Sequence, residues 1–302
     1  MGHHLLRLIL VGLVLLSGTA CAAEPVATPQ ESVTLTIAGS TAMRPVLQAL
    51  TGEFNRLHPQ VLFSLRGGGS LLGETWVANG SVDLAASTLP QDGRETDPTL
   101  VRVPIGIDGV AVIVHPRNQV LVLTLLQLRD LYSGHLLSWA DVGWASQDGG
   151  ADVLLVSRED GSGTRRFFEE QVMGEERVAL TAVVMPTSQD VIEYVAQRPQ
   201  TIGYVSAAYL RDEQGDLRLV DPQQGGSMAD LIGEYGENPV RIVPVEGLLP
   251  TQSNLADLQY HLSQPIFLVS QGEPTEWVRQ FVDFALSPAG QQIVARFHGP
   301  VR

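Results

Sequence analysis

No lysine occurs among the 302 residues, so every basic residue is an arginine. That absence excludes a phosphate-loop lysine, a Schiff-base lysine and a Ser-Lys dyad. A single cysteine, Cys21, can build neither a metal cluster nor an internal disulfide. The histidines stand at 3, 4, 58, 115, 135, 261 and 298 with no H-x-x-x-H pair, which argues against a metalloenzyme. Neither metal nor cofactor is expected. Positive charge is scarce as well: 19 arginines face 33 acidic residues, a net charge of −14, which argues against nucleic acid or acidic lipid as a partner. No G-x-S-x-G elbow is present, since Ser70 is followed by Leu72 and Ser162 is flanked by Asp160 and Thr164 at those positions. The run Gly67-Gly68-Gly69-Ser70 fails as a dinucleotide fingerprint at Leu72. Neighbouring carboxylates such as Glu169 and Glu170 diverge on a helix and read as solvated surface. A Ser-His-Asp triad needs no fixed spacing, so a hydrolase is the enzymatic alternative that spacing leaves open.

What is present begins with an apolar run over 8–16, too short to span a membrane comfortably, behind Arg7 and ahead of small residues and Cys21. This is a signal-peptide pattern over residues 1–21. A cysteine at that place resembles a bacterial lipobox, which makes Cys21 a lipidation site, although Gly18 stands where that pattern usually has leucine. Ordinary cleavage at Ala20-Cys21-Ala22 is the alternative. Either way the mature chain is expected outside the cytoplasm. If Cys21 is acylated it is anchored to the cell membrane by lipid alone. Residues 22–32, small, polar and carrying Pro25 and Pro29, read as a flexible tether.

Beyond the tether, strand and helix patterns alternate. Strands are expected over 33–38, 61–65, 81–88, 101–107, 109–114, 153–156, 178–185, 201–205 and 266–269. Helices are expected from 42 to 57, from 70 to 79, over 123–132, from Thr164 onward, and over 188–197, 275–286 and 289–297. This alternation predicts an α/β fold with largely parallel sheets, whose ligands bind at the carboxyl ends of strands. Four loops rich in glycine and hydroxyl groups fall at such ends: Gly39-Ser40-Thr41-Ala42, Arg66-Gly67-Gly68-Gly69-Ser70, Ser87-Thr88, and Arg158 through Thr164.

The last of these is the densest. Gly161 and Gly163 permit a sharp turn, Ser162 and Thr164 bring hydroxyls to a helix start, and Arg158 offers a two-pronged guanidinium. Backbone donors, hydroxyls and one guanidinium can replace an oxyanion's hydration shell, and close desolvated donors outweigh a screened acidic surface. The bland alternative is a Ser162 that only caps a helix and an Arg158 that makes a surface ion pair.

The stretch Ser157-Arg158-Glu159-Asp160-Gly161-Ser162-Gly163-Thr164-Arg165 resembles the signature of the phosphate-binding subunits of bacterial ABC phosphate transporters. Further matches lie at Ala38-Gly39-Ser40-Thr41, Gly68-Gly69-Ser70, Asp108-Gly109-Val110, Ile202-Gly203-Tyr204-Val205-Ser206 and Phe284-Ala285-Leu286-Ser287-Pro288-Ala289-Gly290, so the resemblance covers essentially 33–299. It implies a two-lobe type II periplasmic-binding-protein fold with two hinge crossovers, near Ile107 and Leu262. Lobe 1 would hold 33–107 plus 263–302, and lobe 2 would hold 108–262. It implies a monomeric, non-enzymatic protein that binds inorganic phosphate and passes it to the transmembrane subunits of an ABC permease. Contacts would come from Thr41 and the Ala42 backbone, with Ser40 beside them, and from Ser70, Arg158, Ser162, Gly163 and Thr164, with Asp160 holding Arg158. An anion sensor or adhesion-type lipoprotein using the same pocket is the alternative from another class.

One position departs from the family. Several members carry Asp in the turn after Ala86-Ser87, where this chain has Thr88. Phosphate keeps a proton near neutral pH that a carboxylate can accept, and a carboxylate repels fully deprotonated sulfate. Thr88 can accept a hydrogen bond but supplies no repulsion. Weaker rejection of sulfate and other tetrahedral oxyanions is therefore expected, unless another carboxylate lines the pocket.

Overall fold

The computed structural model describes residues 32–89, 97–144, 152–220, 227–236 and 238–301. Cys21, the leader and the tether up to Glu31 lie outside them. The first strand, β1 (Val33–Gly39), runs through a short 3-10 turn, Thr41–Met43, into helix α1 (Arg44–Leu57). Pro45 sits in the first turn of α1, where its missing N–H costs nothing. Val46, Leu47, Leu50 and Phe54 form the buried stripe of α1 at helical spacing. Then come β2 (Val61–Arg66), α2 (Ser70–Ala78), β3 (Leu84–Ser87) and the 15-residue β4 (Leu100–Val114). The second half holds α3 (Leu125–Ser133), β5 (Leu154–Arg158), α4 (Gly163–Phe168, continued by a π-turn over Glu169–Met173), β6 (Val183–Met185), α5 (Ser188–Ala196) and β7 (Thr201–Ser206). After α6 (Met228–Tyr235), β8 (Arg241–Val243) and α7 (Gln252–Ala256), the chain returns through β9 (Ser263–Gln271), α8 (Glu276–Leu286), α9 (Pro288–Val294) and β10 (Gly299–Pro300).

The strands line up as β2-β1-β3-β9-β4-β7-β5-β6, with β8 and β10 also paired to β4. Among the named strands, pairing is parallel in the wings, where β1 lies between β2 and β3 and β5 lies between β6 and β7. The centre is antiparallel, because β4 meets β9, β7, β8 and β10 in opposed directions. The expected largely parallel arrangement is thus corrected. A parallel neighbour needs a crossover helix, and no helix precedes β4 among the described residues after β3. A periodic pattern of side chains identifies a strand but not its direction.

β4 was expected to break at Asp108-Gly109 but continues through it. Residues 100–109 pair with β9, and 110–114 pair with β7. Alternation along this strand feeds two layers: Val110, Val112 and Val114 join one cluster with Tyr132, Phe168 and Tyr204, while Ala111 and Ile113 join Val156, Val191 and Val205. Ile266 and Leu268 of β9 pack with α1 and α8, and Phe267 and Val269 pack on the opposite face with Val77 and Ala85. The result is the two-lobe α/β fold that the resemblance implies, with β4 running from one set of strands into the other.

Other departures have local causes. The strand expected over 178–185 shrinks to three residues, since Ala179 and Ala182 close a turn and Leu180 is fully exposed. Conversely, β8 went unread because it is three residues long with Pro244 directly after it.

The continuity of β4 places Asp108 in a dry polar junction. Its carboxylate accepts from Ser206 Oγ at 2.7 Å and Gln264 Nε2 at 3.4 Å, and His298 Nδ1 lies 3.2 Å away. Asp108, Ser206 and His298 are all fully buried. Changing Asp108→Asn turns an amide donor toward these donors and is expected to lower stability by about 1–2 kcal/mol. A denaturation midpoint equal to wild type would show that the junction does not depend on the charge.

Candidate functional site

Glycines bring the three loops of the first half together. Gly39 has φ +130°, and a Cβ there would lie 2.3 Å from the Ala86 carbonyl oxygen, so only glycine lets β1 end against β3. Ser40 N–H donates to that same oxygen at 2.8 Å. Gly69 (φ +84°) donates its N–H to Gly39 O and sets Ser70 at the start of α2. Thr88 N–H donates to Ser70 Oγ at 3.1 Å, and the two hydroxyls stand 3.3 Å apart. Beneath them Glu74 of α2 forms a buried two-pronged ion pair with Arg102 of β4 and accepts from Ser87 Oγ. That link ties the Ser87-Thr88 turn to the helix that carries Ser70.

In the other half, β5 delivers Ser157 and Arg158 and then turns. Ser162 Oγ accepts from Arg165 N–H at 3.3 Å and caps α4, so the capping expectation is met, although Ser162 is buried and not a surface cap. The Tyr204 phenol lies 2.7 Å from Ser157 Oγ and stacks on Phe168 at 4.1 Å between ring centres. Burial pushes its pKa up to about 12, so it remains a neutral hydrogen-bonding group. Arg158 is 1% exposed. Its Nη1 donates to Ser188 Oγ and its Nη2 to the Pro186 carbonyl, which anchors the guanidinium to the start of α5. The alternative of a surface ion pair is therefore excluded for Arg158.

The four loops meet. Arg158 Nη2 donates to Thr41 Oγ1 at 3.1 Å, Tyr209 OH donates to Thr41 O at 2.6 Å, and Leu71 N–H donates to Gly161 O at 3.3 Å. Gly163 stands so close to Ser70 and Thr88 that a Cβ on it would come within 2.3 Å of Thr88 Oγ1. Ser40, Thr41, Ala42, Ser70, Thr88, Arg158, Ser162, Gly163 and Thr164 are all buried. Among the described residues the Thr164 hydroxyl has no hydrogen-bond partner. A buried hydroxyl without a partner is costly, and here it sits next to Gly163 in a wall of donors.

Asp160 does not hold Arg158. Its side chain is 93% exposed and pairs with Arg165, which also donates to the Arg158 carbonyl and so brackets the turn from outside. The carboxylate on Arg158 belongs to Glu159, at 3.1 Å from Nε and 3.0 Å from Nη2. Sequence reasoning gave Glu159 no role of its own and passed over Tyr209, Ser188 and the Glu74–Arg102 pair. A carboxylate directly after an arginine was a usable signal for the first; the others are joined only by long-range packing. Among the described residues no cluster of three or more His, Cys, Asp or Glu is arranged to hold a metal. No helix among them is long and apolar enough to cross a membrane.

A model of the PBP superfamily domain matches residues 24–289. The phosphate-binding protein PstS of Bacillus subtilis strain 168 is 25% identical over 270 residues, covering 89% of this chain and 80% of that protein. Among solved structures, a putative phosphate ABC transporter substrate-binding protein with bound phosphate from Clostridium perfringens is 30% identical with a TM-score of 0.75. It aligns with 89% of this chain over its full length. An ABC-type phosphate transport receptor from Vibrio cholerae is 26% identical with a TM-score of 0.64, covering 89% of this chain and 100% of that one.

Proposed function

Because this chain belongs to the PBP superfamily, and within it to the phosphate-binding subunits of ABC transporters, we propose that it captures inorganic phosphate between its lobes and delivers it to an ABC permease. The observation that carries this is the convergence of a buried Arg158 with hydroxyls from both sides of the cleft: Thr41, Ser70 and Thr88 facing Ser162 and Thr164. Such a site holds an oxyanion by fixed dipoles and charge-assisted donation from one arginine, and it has no need of a basic surface. The lobes close over the ligand and open to release it. We assign lobe 1 to 33–107 plus 263–302 and lobe 2 to 108–262. The apolar clusters support this, since one pair draws on 33–105 and 266–297 and the other on 110–262.

The protein binds without turnover, acts as a monomer outside the cytoplasm, and is held to the membrane through a lipid on Cys21. Membrane fractionation of Cys21→Ser tests the anchor. Calorimetric titration with phosphate, sulfate, arsenate and molybdate tests the binding. Saturable one-to-one uptake of phosphate is expected, and no binding of any of the four would sink the assignment.

Thr164 provides a finer test. In Thr164→Val a methyl replaces a hydroxyl that has no partner among the described residues, so the ligand-free form should be as stable as wild type or more so. Phosphate affinity should nevertheless fall about tenfold, the worth of one hydrogen bond to a charged group. Unchanged affinity would place the Thr164 hydroxyl outside the ligand's shell.

A further inference from the structure

We infer that Glu159 sets the anion selectivity of the cleft, a role that rests on the phosphate capture proposed above. The sequence alone pointed to Thr88, since a threonine there removes the carboxylate that would reject sulfate. The structure supplies a carboxylate from the opposite wall. Glu159 grips Arg158 with both oxygens, Oε2 to Nε and Oε1 to Nη2, and that same Nη2 reaches Thr41 Oγ1 at 3.1 Å. A carboxylate from one lobe and a hydroxyl from the other therefore meet on a single guanidinium nitrogen. Oε1 also lies 3.4 Å from where a Cβ on Gly69 would be, against the loop that presents Ser70. The Glu159 side chain is 26% exposed, so its carboxylate keeps access to solvent while it holds the buried Arg158.

Among the described residues, the neighbouring carboxylates are otherwise engaged. Asp160 is turned outward onto Arg165, Glu74 is held by Arg102 behind the Ser87-Thr88 turn, and Asp190 accepts from the Thr187 hydroxyl.

The consequence is chemical. With Glu159 on it, the Arg158 guanidinium offers no uncompensated positive charge to an anion. An oxyanion that still carries a proton can donate it to Glu159 as a hydrogen bond while accepting from Arg158. Sulfate and selenate carry no proton near neutral pH and meet the carboxylate as like charge. Phosphate and arsenate share the proton and sulfate and selenate lack it, so the four anions separate proton acceptance from shape and from simple charge.

The test is calorimetric titration of wild type and Glu159→Gln with phosphate, arsenate, sulfate and selenate. Wild type should prefer the first two. In Glu159→Gln sulfate and selenate should tighten by about tenfold or more, while phosphate and arsenate change by less than about threefold or weaken. Glu159→Asp keeps the charge one methylene farther from Arg158 and should fall between. If all four anions tightened together, Glu159 would only mask the Arg158 charge and the inference would be overturned; four unchanged affinities would overturn it equally. A wild-type protein that bound no phosphate would instead defeat the functional proposal, whatever the variants did.

Discussion

Arg158→Ala is expected to weaken phosphate binding by a factor on the order of a hundred to a few thousand, since removing one partner from a buried charge contact costs about 3–5 kcal/mol. The reasoning starts from the guanidinium's surroundings. Arg158 is buried, and its donors run to Glu159, Met185 O, Pro186 O, Ser188 Oγ and Thr41 Oγ1. Truncation removes the cleft's cation and also frees Glu159, whose carboxylate then faces the incoming anion alone. Both changes act against phosphate, and the second acts more strongly on sulfate. Arg158→Lys should recover only a minor part, because an ammonium cannot span Glu159, Ser188 and Thr41 in one plane. Titration calorimetry decides the matter: phosphate affinity in Arg158→Ala within tenfold of wild type would remove Arg158 from the ligand's shell.

How far the sequence carries toward this site depends on whether the determinant is local. The four loops were legible because each needs glycine for backbone conformation or close approach and hydroxyls for donation, and those demands sit on neighbouring residues. Gly39 against Ala86 and Gly163 against Thr88 show the demand in geometric form. The partner of Arg158 was not legible. Asp160 and Glu159 are both within two residues, and the choice between them is made by Arg165, which draws Asp160 outward from the next turn. Sheet direction escaped for a related reason, since β4 and β9 pair across more than 150 positions of chain, as in the Gly109–Ser263 register. The Glu74–Arg102 pair that braces Ser70 and Thr88 is likewise a product of packing between α2 and β4. Residue types announce chemistry; which groups finally touch is settled by tertiary contacts that no local pattern contains.

Gly163→Ala should separate closure from folding. A Cβ at this position would stand 2.3 Å from Thr88 Oγ1, 2.7 Å from Ser70 Oγ and 2.9 Å from the Thr88 carbonyl carbon. The hydroxyls can rotate by small amounts, but the carbonyl carbon belongs to the turn that Ser70 and Glu74 hold in place, so it cannot yield without moving lobe 1. Within lobe 2 the substitution is benign: Gly163 opens α4, its φ lies outside the left-handed region, and alanine is the better helix former. The clash therefore exists only when the lobes are together. Ligand-free Gly163→Ala should melt at or above the wild-type temperature, while phosphate affinity falls by about a hundredfold, as expected for overpacking of about 3 kcal/mol in the closed form. The melting-temperature rise that saturating phosphate gives wild type should shrink accordingly. Gly161→Ala is the control from the same turn, because a Cβ there would meet nothing nearer than 3.8 Å, and it should bind phosphate like wild type. If Gly163→Ala kept the full phosphate-induced rise, the contact between Gly163 and the Ser70–Thr88 wall would have no part in the bound state. Loss of affinity in Gly163→Ala alone would mean that this protein binds by closing one wall onto the other.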